Sequence, residues 1–131
     1  GVDLRALLQA ELASVGGSME AVTTAGPPLL LQAGQAQALG LVLHELLTNA
    51  LKYGALGQAG GSLDVRWSAE GAARLEWQER NVAAVDTGAE GFGTRLIETL
   101  VKRQLRGAVS RKVEEDRFTL VIEWPLERPG D

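Results

Sequence analysis

Hydrophobic positions recur along this chain at two periods, one helical and one extended, and glycines mark the changes between them. After Asp3, a suitable helix N-cap, Leu4, Leu7, Leu8 and Leu12 return at helical spacing until Gly16-Gly17 stops the run. "MEAVTTAG" and "PPLLLQ" read as two short strands around Gly26-Pro27-Pro28. A long amphipathic helix is expected from about Gln35 to Tyr53, then a glycine-rich turn, "GALGQAGGS". "SLDVRWSA" and "ARLEWQER" alternate with period two and meet near Glu70-Gly71. The loop "NVAAVDTGAEGFG" leads into a helix from about Thr94 to Leu105. "GAVSRKV" and "RFTLVIEWPL" form a closing hairpin with Phe118, Leu120, Ile122 and Trp124 on one face, and "ERPGD" frays. About three helices and roughly six strands, mostly hairpin-joined, predict an α+β fold with the helices on one face of a mixed, mostly antiparallel sheet.

At 131 residues the chain suits one domain with a genuine core, 45% hydrophobic and 23% charged. A net charge of −4 argues against a general nucleic-acid binder, although six basic residues cluster between Arg95 and Lys112. The absence of cysteine removes disulfides and thiolate metal sites and fits a reducing compartment. A single histidine cannot build a histidine-rich zinc site. No apolar run approaches a membrane span, and no signal-peptide pattern opens the chain.

Candidate chemistry concentrates on the long helix. Projected at about 100° per residue, His44, Thr48, Lys52, Glu45 and Asn49 fall within an arc of roughly 140°. Val42, Leu43, Leu46, Leu47, Ala50, Leu51 and Tyr53 fill the apolar remainder. The carboxylate of Glu45 and the amide oxygen of Asn49 are hard donors that suit Mg²⁺, and Lys52 lies a turn further on as a point charge for phosphate. A solvated face with a stabilising Glu-to-Lys arrangement explains the same spacing.

Two further stretches add to it. "GAEGFGTRLIE" places Gly91, Gly93 and Thr94 at a helix start, where exposed backbone N–H groups form an anion site; an ordinary linker has the same composition. The P-loop pattern is absent. In "LEWQER", alternation puts Glu79 on the inward face with Leu75 and Trp77, where a carboxylate costs several kcal/mol of desolvation unless it meets a donor. An amino group on a ligand, a structural arginine or fraying at the strand end would each relieve it.

An acid–amide–lysine helix, then a strand ending in an acid, then a glycine loop opening a helix: this order resembles the ATP-binding domain of sensor histidine kinases. That domain lies within the superfamily shared with DNA gyrase and the mismatch-repair ATPases. The chain is most similar to the HWE subgroup, named for a histidine in the asparagine-bearing helix and a W-x-E on a later strand. Those are His44 in "HELLTNALKYGAL" and Trp77-Gln78-Glu79, while "GFGTRLI", Gly91 to Ile97, resembles the second glycine box. The likeness runs from about Leu4 to Leu126.

The resemblance implies a two-layer α/β sandwich of the Bergerat type, with residues 1–131 forming one catalytic domain of a larger kinase. It implies ATP and Mg²⁺ as ligands. Asn49 would ligate Mg²⁺, and Glu45 would orient or deprotonate the attacking group or hold a magnesium-bound water. Lys52 would contact phosphate, Glu79 would receive the adenine amino group, and Gly91, Gly93 and Thr94 would cradle phosphates. His44 belongs to the nucleotide-binding helix itself, which excludes it as the phosphorylated residue; it would position neighbours or pack as a hydrogen-bonded histidine. The implied partners are a histidine-bearing dimerisation domain of the same kinase and a response regulator. The protein would be cytoplasmic and its parent a homodimer, with no nucleic acid and no direct membrane contact. Where the subgroup shows a glycine pair and a proline after W-x-E, this chain has Asn81, Val82 and Ala83. A second register, with Asp86 of "DTGAEG" as the base-receiving acid, competes with Glu79, which strand alternation favours. The altered residues leave open a degenerate docking module, and a serine kinase of the anti-sigma type is a further alternative.

Overall fold

The computed structural model describes residues 1–17, 19–82 and 92–126. Asp3 caps the first helix as its sequence predicts: the carboxylate accepts from the Ala6 N–H at 3.1 Å, and α1 runs over Leu4–Ser14. Leu4, Leu8 and Leu12 are buried on its inner face. Before it, Val2–Asp3 form a short strand, β1, antiparallel to β3 (Leu30–Leu31), a pairing too brief to leave a period in the sequence. The expected strand at "MEAVTTAG" opens instead as a 3₁₀ turn, Met19–Ala21, and becomes β2 only at Val22–Ala25.

The long helix, α2, spans Ala33–Lys52, two residues earlier at its start than the hydrophobic pattern indicates. Gln35 explains that start, because its side-chain oxygen accepts the Gln32 backbone N–H at 3.0 Å. Tyr53 falls outside the helix and is 43% exposed, so it does not belong to the apolar back. A 3₁₀ turn at Ala55–Gly57 leads into β4 (Ser62–Glu70), and Gly71, at φ +80°, turns the chain directly into β5 (Ala72–Arg80). Helix α3 occupies Phe92–Arg103, and β6 (Ala108–Glu114) and β7 (Arg117–Pro125) close the fold as a hairpin.

Five strands form the main sheet in the order β2-β4-β5-β7-β6. Only β2 and β4 run parallel; the remaining pairs are antiparallel. Leu63, Val65, Trp67, Ala73, Leu75, Trp77, Leu120, Ile122 and Trp124 turn inward, whereas Arg66, Arg74 and Glu123 are exposed on the other face. The α+β sandwich expected from the sequence is therefore present. Helix α1 lies over the β2 end of the sheet, where Arg5 donates to Thr24 Oγ1 at 2.7 Å and stacks 4.9 Å from the Trp67 ring centroid. Helix α3 packs on β6 at the opposite end, and α2 contacts both helices from the middle. Among the described residues, no helix is long and apolar enough to cross a membrane.

The exit from β5 gives a physical reason for one departure from the HWE pattern. Asn81 has φ +58°, in the left-handed region where glycine is favoured and asparagine is the best tolerated alternative. Its side chain donates to the Gly60 carbonyl at 3.2 Å, and the next N–H, of buried Val82, donates to the Asp116 carbonyl at 3.1 Å. The turn a glycine would make is thus retained with a side chain that braces it. Both Asn81→Gly and Asn81→Ala lose the brace, so their difference isolates the backbone. The glycine variant is expected to be the more stable by about 1 kcal/mol in urea denaturation. Equal midpoints would remove this explanation.

Candidate functional site

Three elements carry the candidate residues: the second half of α2, the end of β5 and the start of α3. On α2 the polar front predicted from the sequence divides in two. His44 Nδ1 lies 3.3 Å from Glu11 Oε1 of α1, and Gly40, one turn earlier, leaves its bare face against Glu11 and Leu7. This flank faces α1. Five residues on from His44, Asn49 is rotated by about 140°, and it lies about 180° from Gly40. Glu45 lies between them, about 100° from His44. Asn49 is therefore on the flank away from α1, the side on which α3 packs.

Burial separates the members further. Glu45 and Asn49 are half-buried and Lys52 is exposed. Among the described residues, no hydrogen bond or ion pair engages any of the three side chains. No group of three or more His, Cys, Asp or Glu converges on a metal-binding point there either. One carboxylate and one amide oxygen, a turn apart and unengaged, fit a Mg²⁺ ion that keeps its waters and shares phosphate oxygens, rather than an all-protein cage. At the start of α3, Gly93 and Thr94 lie inside the first helical turn rather than before it, because the helix begins at Phe92. Their backbone N–H groups remain among the four that no helix satisfies internally. Gly91 lies outside the described residues, as do Ala83 and the rival acid Asp86.

Glu79 is the most constrained of the set. It sits inward on β5, 5% exposed, beside fully buried Trp77. Its donors are neither a structural arginine nor frayed solvent. Oε2 accepts the Trp77 indole N–H at 2.9 Å, and Oε1 accepts the Ala55 backbone N–H at 3.0 Å. The second bond reaches the turn directly after α2, where the Gly54 N–H in turn donates to the Asn49 and Ala50 carbonyls, each at 3.1 Å. A Cβ at Gly54 would overlap Glu79 Oε1, so glycine is required for the carboxylate to dock there. One bond network thus joins the acid of β5 to the end of the helix bearing Asn49.

Sequence reasoning places Glu79 on the correct face but does not find Ala55, Gly54 or the indole as its partners. The i, i+2 spacing of Trp77 and Glu79 was the available signal for the indole. Nothing in the identity of Ala55 marks its backbone N–H as a donor.

Burial raises the Glu79 carboxyl above its ordinary value of 4.5, opposed by the Trp77 and Ala55 hydrogen bonds. The folded chain then holds a proton over a pH window, upward from 4.5, in which the unfolded chain has released it. That contribution to stability is complete below the unfolded value and is lost as pH rises through the folded one. As pH rises from 4.5, wild type is expected to lose unfolding free energy relative to Glu79→Gln. Parallel pH profiles in urea denaturation would contradict it. Separately, Gly54→Ala is expected to displace the carboxylate and cost about 1–3 kcal/mol, read from the same denaturation curves; an unchanged midpoint would contradict the docking geometry.

No protein-family model matches the chain. Among curated proteins, it is 38% identical over 115 residues to the blue-light-activated histidine kinase 1 of Erythrobacter litoralis, covering 84% of this chain and 32% of that protein. It is 33% identical over 108 residues to the blue-light-activated histidine kinase of Rhizobium johnstonii, covering 79% and 31%. The chain thus spans about a third of the length of these relatives. Among solved structures, the Erythrobacter litoralis EL346 blue-light activated histidine kinase superposes with a TM-score of 0.75 at 21% identity, over 94% of this chain and 40% of that one.

Proposed function

We infer from the chain's place in the histidine-kinase family, to which it belongs as a catalytic ATP-binding domain, that it binds Mg-ATP along α2 beside the start of α3. Its HWE signature is His44 with Trp77-Gln78-Glu79. The observation that carries the reading is the pair Glu45 and Asn49: half-buried, on the α3 side of α2, and engaged by no described partner. Asn49 would hold a Mg²⁺ through its side-chain oxygen, Glu45 would hold it directly or through a water, and the ion would supply charge neutralisation at the phosphates. Lys52 adds a point charge at their edge. Glu79 receives the adenine amino group, and the N-terminal turn of α3, with Gly91, Gly93 and Thr94, takes the phosphate oxygens.

Residues 1–131 act as one domain of a longer kinase whose separate dimerisation domain carries the acceptor histidine. In the transfer, the imidazole nitrogen bonds to the γ-phosphorus as the bridging bond to the β-phosphate oxygen breaks. ADP leaves, and Glu45, where it meets the metal only through a water, orients the imidazole or accepts its proton. A response regulator then receives the phosphoryl group on an aspartate. Positioning and charge stabilisation supply most of the rate, because phosphoryl transfer asks little covalent chemistry of the protein. The docking-module alternative rests on Asn81-Val82-Ala83, and Asn81 keeps the left-handed turn of a glycine.

Calorimetric titration with Mg-ATP tests the site. Wild type is expected to bind, whereas Asn49→Ala gives no heat up to millimolar nucleotide and melts within about 2 °C of wild type, since the side chain lies off the leucine face. Equal affinity in the two proteins would overturn the assignment. With the dimerisation domain supplied, the phosphoryl bond formed should be acid-labile; an acid-stable product would indicate a hydroxyl acceptor instead.

A further inference from the structure

We propose that Trp77 is a positioning residue for base selection: its indole N–H fixes the Glu79 carboxylate so that this acid favours a purine carrying a 6-amino group. The inference rests on the reading of Glu79 as the base-receiving acid.

A glutamate side chain alone does not fix the plane of its carboxylate. Its terminal torsion is soft and broadly two-fold, so a carboxylate with one partner swings about that axis. Here both oxygens are tied. The Ala55 N–H holds Oε1 from the turn after α2, and the Trp77 indole holds Oε2 from the floor of β5. Two donors on different elements fix the plane of the group. Each oxygen retains acceptor capacity, because a carboxylate offers about four lone-pair sites in all. The remaining directions are therefore fixed too, and an amino group arriving from a ligand meets a preset acceptor.

Trp77 is suited to this by its own immobility. It is fully buried between neighbouring strands, paired across the sheet with Val65 on β4 and Leu120 on β7. An indole is donor-only, so it cannot compete with Glu79 for an incoming amino group. Trp67 provides the contrast. Its indole donates to the Pro27 carbonyl at 2.8 Å and braces a loop, so its N–H goes to a neutral backbone oxygen. Among the described residues, only the Trp77 indole N–H donates to an acid.

The test compares ATP with purine riboside 5′-triphosphate, which lacks the 6-amino group, by calorimetry with Mg²⁺ on wild type and Trp77→Phe. Wild type is expected to prefer ATP by roughly 10- to 100-fold, the range for a hydrogen bond to a charged acceptor. In Trp77→Phe that preference should shrink to about threefold or less, while affinity for the deamino nucleotide changes little. A merely structural tryptophan would weaken both nucleotides alike and leave the ratio intact, which overturns the proposal. Wild type that does not distinguish the nucleotides removes the Glu79 reading, and the proposal with it. Should Trp77→Phe fail to fold, ¹⁵N NMR of wild type decides. The Trp77 indole resonance should shift with ATP and much less with the deamino analogue, and equal shifts overturn the proposal.

Discussion

A buried carboxylate held by two N–H donors is the constraint on which the rest of this site depends. Left without partners, Glu79 would cost several kcal/mol to bury. Hydrogen bonds to a charged group return about 1.5–3 kcal/mol each, so two of them offset much of the penalty. Burial still raises its pKa, which means the fold tolerates a group it would more comfortably replace with an apolar side chain. The same bonds have a structural consequence, because Ala55 follows α2 by three residues and Gly54 returns hydrogen bonds to Asn49 and Ala50. The position of the acid on β5 and the end of α2 are set together.

The order of helices over the sheet assigns the remaining residues their sides. With α1 at the β2 end, α3 at the β6 end and α2 between, a residue's angle on α2 decides which neighbour it meets. His44 meets Glu11, so the histidine of the HWE signature serves the α1–α2 contact and not the flank bearing Asn49. The tryptophan and glutamate of the signature, by contrast, touch each other directly.

Much of this architecture was legible in the chain because it is periodic. Leu4, Leu8 and Leu12, the leucines of α2, and the alternation through Trp77 and Trp124 each announce their element and inner face. What escaped the pattern is short or tertiary. β1 has two residues, too few to show a period, and the Met19–Ala21 turn interrupts a segment whose composition favours a strand. Tyr53 continues the apolar stripe of α2 on paper, yet the helix ends one residue before it. The front of α2 looked continuous because a wheel shows angles but not neighbours; only the placement of α1 and α3 divides it. Asn81 departs from a glycine motif in the sequence, and only its φ shows that the turn is kept.

In the proposed site, Glu79 and Asn49, joined through the turn after α2, hold opposite ends of one nucleotide. A crystal structure of the chain with Mg²⁺ and a non-hydrolysable ATP analogue tests it most directly. The adenine 6-amino group is expected within hydrogen-bond distance of Glu79, and the metal on Asn49, with the Trp77 and Ala55 bonds to the acid intact. A nucleotide bound with its base away from Glu79, or a metal held by residues other than Glu45 and Asn49, would contradict it.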